Sequence, residues 1–364
     1  MRLVADKNIP FLKGVLESYF EVEYLSGKDI TSDVVRNADA MLIRTRTICN
    51  SALLSGSKVK FIGSATIGFD HIDTNYCDNN KIVWANAPGC NSAGVQQWVA
   101  TALIHWAELN SKSLSGLTIG VVGVGNVGKK VVDVAKMFGM NVLCCDPPRK
   151  RSEELDSFVD LETILKNSDI ITFHVPLNHD GADKTFHMLN SDSLSLCKPD
   201  VYILNSSRGE VVDTNGLLSF LNSKPKTQAA LDVWENEPNV STELMHRTII
   251  ATPHIAGYSL EGKVMGTKMI VESLSRFFGL GIDSWFPTPN PLDEKVVLDK
   301  VDNIFTAIKS TYNIVGDDLR NANADFESLR NNYNYRRDFS GHAVNQSCNL
   351  LEDLKRIGFS VRME

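Results

Sequence analysis

The chain has 364 residues, and its 37 Lys and Arg against 44 Asp and Glu give a formal net charge of −7. This negative balance argues against a dedicated nucleic-acid-binding protein. The length indicates about two or three domains, at roughly 150 residues each. No run approaches the roughly 18 to 20 apolar residues of a membrane span, and the N-terminus lacks the apolar segment of a signal peptide. We therefore expect a soluble, cytoplasmic protein.

The seven cysteines are scattered, with no CxxC pair and no histidine at ligand spacing. In a cytoplasmic chain this pattern indicates reduced thiols and predicts no metal site. Cys144 and Cys145 lie in the apolar run NVLCCD, and we interpret them as buried strand residues.

The N-terminal block alternates short apolar runs with polar segments, which is typical of an α/β fold. The predicted strands are RLVAD, VEYL, AMLIR, KFIGSA and KIVWAN, and the segment after Ile9 is predicted to be a helix. This block has no glycine fingerprint, so it is not the dinucleotide site. Apolar residues at i, i+3, i+4, i+7 and i+8 then predict a long amphipathic helix from Asn91 to Asn110.

From Leu117 to about Ala251 strands alternate with helix-period segments, as in a doubly wound parallel sheet. The predicted strands are LTIGVV, NVLCC, DIITFHV, VYILNS, TQAALDV and RTIIAT.

After His254 the pattern loses its strands, and a helix is predicted from about Lys263 to Phe278. A proline-rich stretch then marks a domain boundary. Beyond it, apolar residues from Val297 to Tyr312 predict an amphipathic helix. Because an apolar helical face needs a partner, we expect this tail to support a two-fold dimer.

A glycine motif marks the cofactor site. Gly123, Gly125 and Gly128 follow the strand LTIGVV and open a helix, and Asp146 ends the next strand 18 residues after Gly128. This context matches the dinucleotide fingerprint, in which glycines permit a tight turn and close approach of the pyrophosphate to the helix N-terminus. Asp146 should bind the ribose hydroxyls and favour NAD over NADP. The basic run 149–151 leaves two alternatives open, a solvated turn or a clamp for a 2′-phosphate.

Three polar residues follow late strands, where open α/β sheets place their ligands. These are Arg208 in NSSRGEVVD, Glu237 in LDVWENEP and His254 in TPHIAG. A hydride donor next to a carbonyl requires a cation to hold the carboxylate, a proton donor and acceptor near neutral pH, and a carboxylate that orients it. Arg, His and Glu suit those three tasks.

Through GVGNVG, Asp146, HVPLN, NSSRGEVVD, ALDVWENEP and TPHIAG the sequence resembles the D-isomer-specific 2-hydroxyacid dehydrogenases, over about Lys60 to Phe278. The resemblance implies an NAD-dependent oxidoreductase with Arg208, Glu237 and His254 as catalytic residues. It also implies further cofactor contacts at Asn126, Val127, Val175, Ser206, Ser207, Asp232 and Gly257.

The same resemblance implies a fold with three parts. A Rossmann-type NAD-binding domain would span residues 91–254. A flavodoxin-like α/β substrate domain would combine residues 1–90 and 255–286, and an α+β dimerisation domain would span 287–364.

The segments ADKNIP, SATIGFDHID, DPP and YNYRRDFSGH resemble one branch of that family, whose substrate is a phosphorylated hydroxy acid and whose members are dimers. Arg44 and Arg46 would supply the phosphate site; they alternate with threonines at a strand end, so one pair should face the substrate. The resemblance adds Thr45, Thr66 and Tyr258 as substrate contacts.

Several alternatives stay open. The substrate could be that of another family member, such as 3-phosphoglycerate or glyoxylate and hydroxypyruvate, and an NAD-sensing corepressor is a non-enzymatic alternative. His71 and His174 could be packed or hydrogen-bonded structural residues. Arg336 and Arg337 could brace a dimer interface or reach the phosphate of a neighbouring active site.

Overall fold

A computed structural model describes residues 1–153, 157–298, 301–321 and 325–362. The chain forms two compact units, the first from Met1–Asn91 and Leu260–Glu294, the second from Ser92–Ser259 and Lys295–Glu364. The C-terminal residues thus cluster with the second unit, and the division into three domains stays a proposal. Within the described part of the chain, no helix combines the length and apolar character of a membrane span.

The elements alternate along most of the chain. The strands are β1 (Arg2–Asp6), β2 (Glu21–Leu25), β3 (Ala40–Ile43), β4 (Phe61–Ser64), β5 (Val83–Ala85), β6 (Thr118–Val122), β7 (Asn141–Cys145), β8 (Ile170–Phe173), β9 (Tyr202–Asn205), β10 (Gln228–Leu231), β11 (Ile250–Ala251), β12 (Val296–Leu298), β13 (His342–Asn345) and β14 (Ser360–Arg362). The helices are α1 (Ser32–Val35), α2 (Ser51–Leu54), α3 (Thr74–Asn79), α4 (Ser92–Leu109), α5 (Asn126–Met137), α6 (Pro147–Glu153), α7 (Leu161–Asn167), α8 (Ser191–Ser195), α9 (Thr214–Ser223), α10 (Thr242–Arg247), α11 (Leu260–Phe278), α12 (Ile304–Thr311), α13 (Phe326–Asn331) and α14 (Leu351–Ile357). Short 3-10 turns cover Gly27–Asp29, Gly209–Val211, Ile314–Asp317, Leu319–Asn321 and Phe339–Gly341.

The first unit contains a five-stranded parallel sheet in the order β2-β1-β3-β4-β5, which is the flavodoxin-like order. Its strands are buried on both faces. Met41 and Ile43 pack in one apolar cluster, whereas Ala40 and Leu42 pack in another with Ile270 of α11. The five predicted strands and the predicted helix α11 are confirmed.

The predicted helix after Ile9 is wrong, because residues 10–20 form a series of turns. Phe11 has a φ of 61° and Gly14 a φ of 89°, which are left-handed values incompatible with an α-helix. The apolar residues Leu12 and Leu16 are nevertheless buried in the core. Burial at a spacing of four residues therefore produced a helical pattern without a helix.

The second unit contains a six-stranded parallel sheet in the order β11-β10-β9-β8-β6-β7. Beyond β7, Phe158 makes an isolated parallel bridge to Cys144, so the strand that follows β7 in a Rossmann fold is reduced to one bridge. When the Phe158 bridge is counted as the edge strand next to β7, the strand order from that edge to β10 is the 3-2-1-4-5-6 order of the Rossmann dinucleotide-binding fold. All six predicted strands and the predicted helix α4 are confirmed.

The C-terminal residues differ from the sequence-based prediction. They form a parallel three-stranded sheet, β12-β13-β14, of which the apolar pattern predicted no strand, although the resemblance implied an α+β domain there. Val297 lies in β12, and the helix begins only at Ile304, because the side chain of Asn303 accepts a hydrogen bond from Thr306 N and caps it.

The apolar face of α12 is covered by the chain itself. Ala307 and Ile308 are 1% and 0% exposed, and they belong to the same apolar cluster as Trp98 of α4. Phe305 packs edge-on against Phe138, with the ring centroids 5.2 Å apart. The prediction that this apolar face needs a second subunit to cover it is therefore wrong, because residues of the same chain cover it.

Candidate active site

The predicted cofactor and catalytic residues of the second unit follow the carboxyl ends of successive parallel strands. Gly123 follows β6, Asp146 follows β7, Val175 lies shortly after β8, and Ser206 follows β9, with Asp232 directly after β10. This is the edge at which open α/β sheets bind their ligands.

The glycine turn depends on its lack of side chains. Gly123 has a φ of 84°, and a Cβ there would lie 2.5 Å from the His174 carbonyl oxygen. A Cβ at Gly128 would lie 2.0 Å from the Gly123 carbonyl oxygen. Gly125 is the N-cap of α5 and provides no capping side chain, so the amide groups of Asn126 and Val127 are placed in an uncapped first helical turn.

Asp146 is held against this turn. Its Oδ2 accepts a hydrogen bond from Val124 N at 2.8 Å, and its Oδ1 accepts one from Arg149 N at 3.1 Å. The Arg149 side chain donates to the Val124 carbonyl at 2.7 Å and pairs with Glu153 at 2.6 Å. Arg149 is thus already committed to protein acceptors, which favours the interpretation of this basic run as a structural turn over a 2′-phosphate clamp.

Two buried polar atoms near this edge have no hydrogen-bond partner among the described residues. They are Ser206 Oγ and His174 Nδ1. Since buried polar atoms are normally hydrogen-bonded, such atoms fit a bound polar ligand, and together with the glycine turn they fit NAD. The other ring nitrogen of His174 lies 2.9 Å from Thr172 Oγ1, which agrees with the expected hydrogen-bonded histidine. Burial lowers the pKa of His174 to about 3, so its ring is neutral at physiological pH.

Arg208 lies in a turn that Asn205 organises. The fully buried amide of Asn205 donates to the Arg208 carbonyl at 2.8 Å and accepts from Ser207 N at 3.1 Å and Ser207 Oγ at 2.8 Å. A Cβ at Gly209 would lie 2.0 Å from the carbonyl of Trp234. Glycine therefore lets the Arg208 turn approach the segment that carries Glu237.

His254 and Glu237 form a hydrogen-bonded pair. Nδ1 of His254 lies 2.8 Å from Oε2 of Glu237, and Oε1 of Glu237 accepts from Trp234 N at 3.0 Å. The side chains are 31% and 18% exposed. This arrangement leaves Nε2 of His254 available to a substrate, as expected of a general base with an orienting carboxylate.

The electrostatic surroundings keep Glu237 ionised. Burial alone raises its pKa, but the charge and hydrogen bond of His254, the Arg330 guanidinium and Trp234 N together lower the pKa below its usual value. Arg330 Nη1 lies 3.8 Å from Glu237 Oε2. Arg330 was not predicted, because it lies in the C-terminal helix α13, far along the chain from Glu237.

His254 has a φ of 56°, a left-handed conformation that costs on the order of 1–2 kcal/mol for a residue with a Cβ. The backbone around it is anchored by Asp232. His254 N donates to the Asp232 carbonyl at 2.7 Å. The carboxylate of Asp232 accepts from Ile255 N at 2.8 Å, from Ala256 N at 2.9 Å and from Thr252 Oγ1 at 2.6 Å.

Asp232 is only 1% exposed, and burial raises its pKa above the usual value against the lowering effect of His254 and these hydrogen bonds. Resemblance alone assigned Asp232 to the cofactor. Its observed contacts anchor the loop after His254, a role that sequence reasoning missed. Gly257 lies in the same loop, packed close to Gly94 of α4.

In the first unit, the predicted alternation of arginine and threonine is wrong. Strand β3 ends at Ile43, and Thr47 N donates to the Arg44 carbonyl at 3.3 Å, so residues 44–47 form a turn. Thr45 and Arg46 are both exposed, while Thr47 is buried. Thr45 and Arg46 are therefore exposed together, whereas an extended strand would point their side chains to opposite faces.

Thr66 lies in a folded loop after β4. Its Oγ1 donates to the Gly68 carbonyl at 3.0 Å and lies 2.8 Å from Ser64 Oγ. Ser64 Oγ in turn lies 3.1 Å from His71 Nε2. His71 is 8% exposed, in agreement with the expectation of a packed, hydrogen-bonded histidine.

Tyr258 lies two residues beyond Ala256 in the second unit, and its hydroxyl is 3.5 Å from Arg330 Nη2. Arg336 makes its contacts within its own chain, including one to the Ile255 carbonyl at 3.0 Å. It was expected to brace a dimer or reach another active site; instead it lies against the loop that follows His254.

Residues 92–256 match the sequence profile of the D-isomer specific 2-hydroxyacid dehydrogenase, NAD binding domain. A protein named erythronate-4-phosphate dehydrogenase from Bacteroides thetaiotaomicron is 45% identical over 347 residues, which cover 94% of this chain and 99% of that protein. A protein of the same name from Proteus mirabilis is 38% identical over 94% of each chain.

Two solved structures are similar in fold. D-lactate dehydrogenase from Aquifex aeolicus, complexed with NAD and lactic acid, has a TM-score of 0.66 and 25% identity and covers 78% of this chain and 97% of its own. NAD+-bound 3-phosphoglycerate dehydrogenase of Entamoeba histolytica has a TM-score of 0.67 and 24% identity and covers 79% and 98%.

The chain belongs to the D-isomer-specific 2-hydroxyacid dehydrogenase family, as its motifs indicated, and it is an NAD-dependent oxidoreductase. The relatives that match it over nearly its whole length are erythronate-4-phosphate dehydrogenases.

Proposed function

We propose that this enzyme oxidises 4-phospho-D-erythronate to 2-oxo-3-hydroxy-4-phosphobutanoate with NAD, in the biosynthesis of pyridoxal 5′-phosphate. The support is the shared name of relatives that match 94% of the chain. Residues 295–364 make up about a fifth of the chain, so these alignments must include most of them. D-lactate dehydrogenase from Aquifex aeolicus, by comparison, matches only 78% of this chain with 97% of its own.

The observation that carries the proposal is the 2.8 Å contact between His254 Nδ1 and Glu237 Oε2. His254 Nε2 would accept the proton of the C2 hydroxyl, while Glu237 stabilises the resulting imidazolium. NAD, when bound, supplies the hydride acceptor. Oxidation at C2 thus moves one proton to His254 and leaves a carbonyl.

Arg208 would bind the substrate carboxylate through its planar guanidinium and polarise the C2 oxygen. Its turn lies close to the segment that carries Glu237, because only glycine fits at position 209. This proximity supports a shared role for Arg208 and the His254–Glu237 pair.

We further propose, from the resemblance, that Arg44 and Arg46 bind the substrate phosphate and that Thr45, Thr66 and Tyr258 contact the substrate. The turn at 44–47 exposes Thr45 and Arg46 together, which supports their joint use. The remaining proposed NAD contacts are Val175, Ser206, Ser207, Asp232 and Gly257.

We also propose a cytoplasmic homodimer associated through the C-terminal residues. None of the seven cysteines forms a disulfide, as expected of a reducing compartment. Sedimentation of the intact chain at micromolar concentration tests the dimer, and a monomer would contradict it. The intact chain is required because truncation after Phe286 would uncover the core beneath α12.

The test of the function is a panel of 4-phosphoerythronate, 3-phosphoglycerate and glyoxylate or hydroxypyruvate, in the appropriate direction, with NAD and NADP. Turnover is followed by the absorbance of the reduced nicotinamide. We expect the highest kcat/KM for 4-phosphoerythronate with NAD, and a loss of about 10²- to 10⁴-fold in kcat for His254→Ala. A higher kcat/KM for another acid would contradict 4-phosphoerythronate as the substrate. Binding of NAD without turnover of any acid would favour a non-enzymatic, NAD-sensing protein.

A further inference from the structure

The loop that follows His254 requires support from outside itself. His254 has left-handed backbone geometry, and the next residues, 255–258, contain no regular helix or strand. Asp232 binds the N–H groups of Ile255 and Ala256. Within the loop itself, Tyr258 N donates to the Ile255 carbonyl at 2.8 Å. The carbonyl groups of the loop also accept hydrogen bonds from a residue outside it.

Arg336 binds those carbonyl groups. Its Nη1 donates to the Ile255 carbonyl at 3.0 Å and the Tyr258 carbonyl at 3.4 Å, and its Nη2 donates to the Ala256 carbonyl. The peptide group between Ile255 and Ala256 is therefore bound on both sides. Its N–H donates to the carboxylate of Asp232, and its C=O accepts from the guanidinium of Arg336.

The guanidinium is itself held rigidly. Its Nε donates to Gln97 Oε1 at 2.8 Å and its Nη2 to the Gly94 carbonyl at 3.1 Å, both in α4. Its Cζ lies over the ring of Tyr312, 4.2 Å from the ring centroid. Gln97 is fixed in turn by donating to the Arg337 carbonyl at 3.0 Å. A planar fork with donors on three nitrogens can bind helix and loop at once, which a lysine ammonium on a flexible stem cannot.

The backbone supports the same alignment. Ser259 and Arg336 form an isolated parallel bridge, and Ser259 Oγ donates to Asp338 Oδ2 at 3.2 Å. The C-terminal residues thus lie along the end of the loop as well as contacting it through one side chain.

We propose that Arg336 is a positioning residue for the dehydrogenase reaction: it holds loop 255–258 so that His254 keeps its contact with Glu237 and directs Nε2 toward the substrate. This inference rests on the proposed role of His254. Arg336 acts through the backbone of the loop and is not placed in contact with the reacting atoms. Loosening it should affect the chemical step more than NAD binding, because Gly257 is the one proposed NAD contact in this loop, whereas the glycine turn and Asp146 lie on other elements.

The test compares Arg336→Lys with Phe359→Leu. Phe359 is 4% exposed and stacks on Phe339 at 5.0 Å, so its replacement weakens the same C-terminal core without touching the loop. For each variant we would measure Tm, NAD affinity by fluorescence titration, and kcat and kcat/KM as functions of pH, well below the lower Tm.

For Arg336→Lys we expect kcat to fall at least about tenfold, the NAD Kd to stay within about threefold, and the acidic limb of the pH profile to move to lower pH. The limb moves because a displaced His254 loses the charge stabilisation that Glu237 gives to its protonated form. Phe359→Leu should lower Tm and leave kcat and the profile unchanged. Equal losses in both variants would reduce Arg336 to a structural residue, and wild-type kcat in Arg336→Lys would overturn the inference.

If Arg336→Lys does not fold, Gln97→Asn provides the second variant, because a side chain shorter by one methylene withdraws the acceptor from Arg336 Nε. We expect a smaller drop in kcat with the same shift of the profile, and no change in either would contradict the inference. Wild-type enzyme and His254→Ala are measured alongside. A wild-type kcat in His254→Ala would refute the proposed role of His254, whatever the result at Arg336.

Discussion

Arg330 Nη1 lies 3.8 Å from Glu237 Oε2, the same oxygen that contacts His254 Nδ1 at 2.8 Å. A cation at this distance stabilises the carboxylate and opposes a second positive charge on the imidazole. Arg330 Nε has no hydrogen-bond partner among the described residues, and Arg330 Nη1 also lies 3.9 Å from Glu327 Oε1. Glu237 and Arg330 should therefore act on the protonation of His254 in opposite directions.

Replacing Arg330 by glutamine should move the acidic limb of the kcat/KM profile to higher pH. Removing the cation makes protonation of the base easier, and the unprotonated base is the form that oxidises a hydroxy acid. Arg276→Gln is the control, because Arg276 pairs with Glu272 in the first unit. An unmoved limb in Arg330→Gln would show that this charge does not reach the base.

Replacing Glu237 by glutamine should move the same limb to lower pH. The neutral amide no longer stabilises the imidazolium, although it can still accept a hydrogen bond from Nδ1. The same pH titration of kcat/KM measures this shift. If Glu237→Gln and Arg330→Gln moved the limb in the same direction, the opposed electrostatic roles of the two residues would be wrong.

Asp146→Ala should relax the preference for NAD over NADP. The carboxylate repels a 2′-phosphate, but Arg149 remains paired with Glu153, so we expect a lower NAD preference without a strong gain in NADP affinity. The ratio of kcat/KM for the two cofactors is the measurement. Asp160→Ala, which removes a helix cap of α7, is the matched control. An unchanged ratio in Asp146→Ala would assign the preference to another group.

His174 should make stability depend on pH in mildly acidic solution. Burial depresses its pKa from 6.5 to about 3, so the unfolded chain binds the proton and the folded chain does not. Its contribution to stability is therefore present above about pH 6.5 and is lost as the pH falls toward 3, at up to about 1.4 kcal/mol per pH unit.

Denaturant unfolding of His174→Gln between pH 7 and pH 4 tests this linkage. The variant should show a shallower loss of stability than the wild type over that interval. His246→Gln, at an exposed position on α10, should reproduce the wild-type slope. Parallel curves for all three proteins would mean that His174 is accessible to protons in the folded state.

The strands of both sheets could be predicted because each depends on a local pattern: apolar runs buried on two faces and ended by turn residues. The cofactor turn is likewise local as a pattern, since Gly123, Gly125 and Gly128 lie within six residues and directly follow a predicted strand. The helix after Ile9 failed for the opposite reason. Leu12 and Leu16 are buried by tertiary packing, and the left-handed Phe11 gives no signal in sequence.

The support of the candidate site could not be predicted, because its contacts join residues far apart in the chain. Arg336 is separated from Gln97 by 239 residues and from Ile255 by 81. The arginine pair in YNYRRDF is visible in the sequence, but its aromatic neighbours favoured a dimer interface over a contact within the same chain. The strand Val296–Leu298 was missed because Val297 also fits the helical period that continues through Ile304.

Arg336, which binds residues 255–258, is translated after all the other residues proposed for the site. A ribosome releases the six strands of the Rossmann sheet, Arg208, Glu237 and His254 before it has translated Arg336. The nascent chain can thus complete its dinucleotide-binding sheet while the loop beside His254 still lacks one of its two anchors. The proposed alignment of His254 would therefore be completed only when the last elements of the chain have been added.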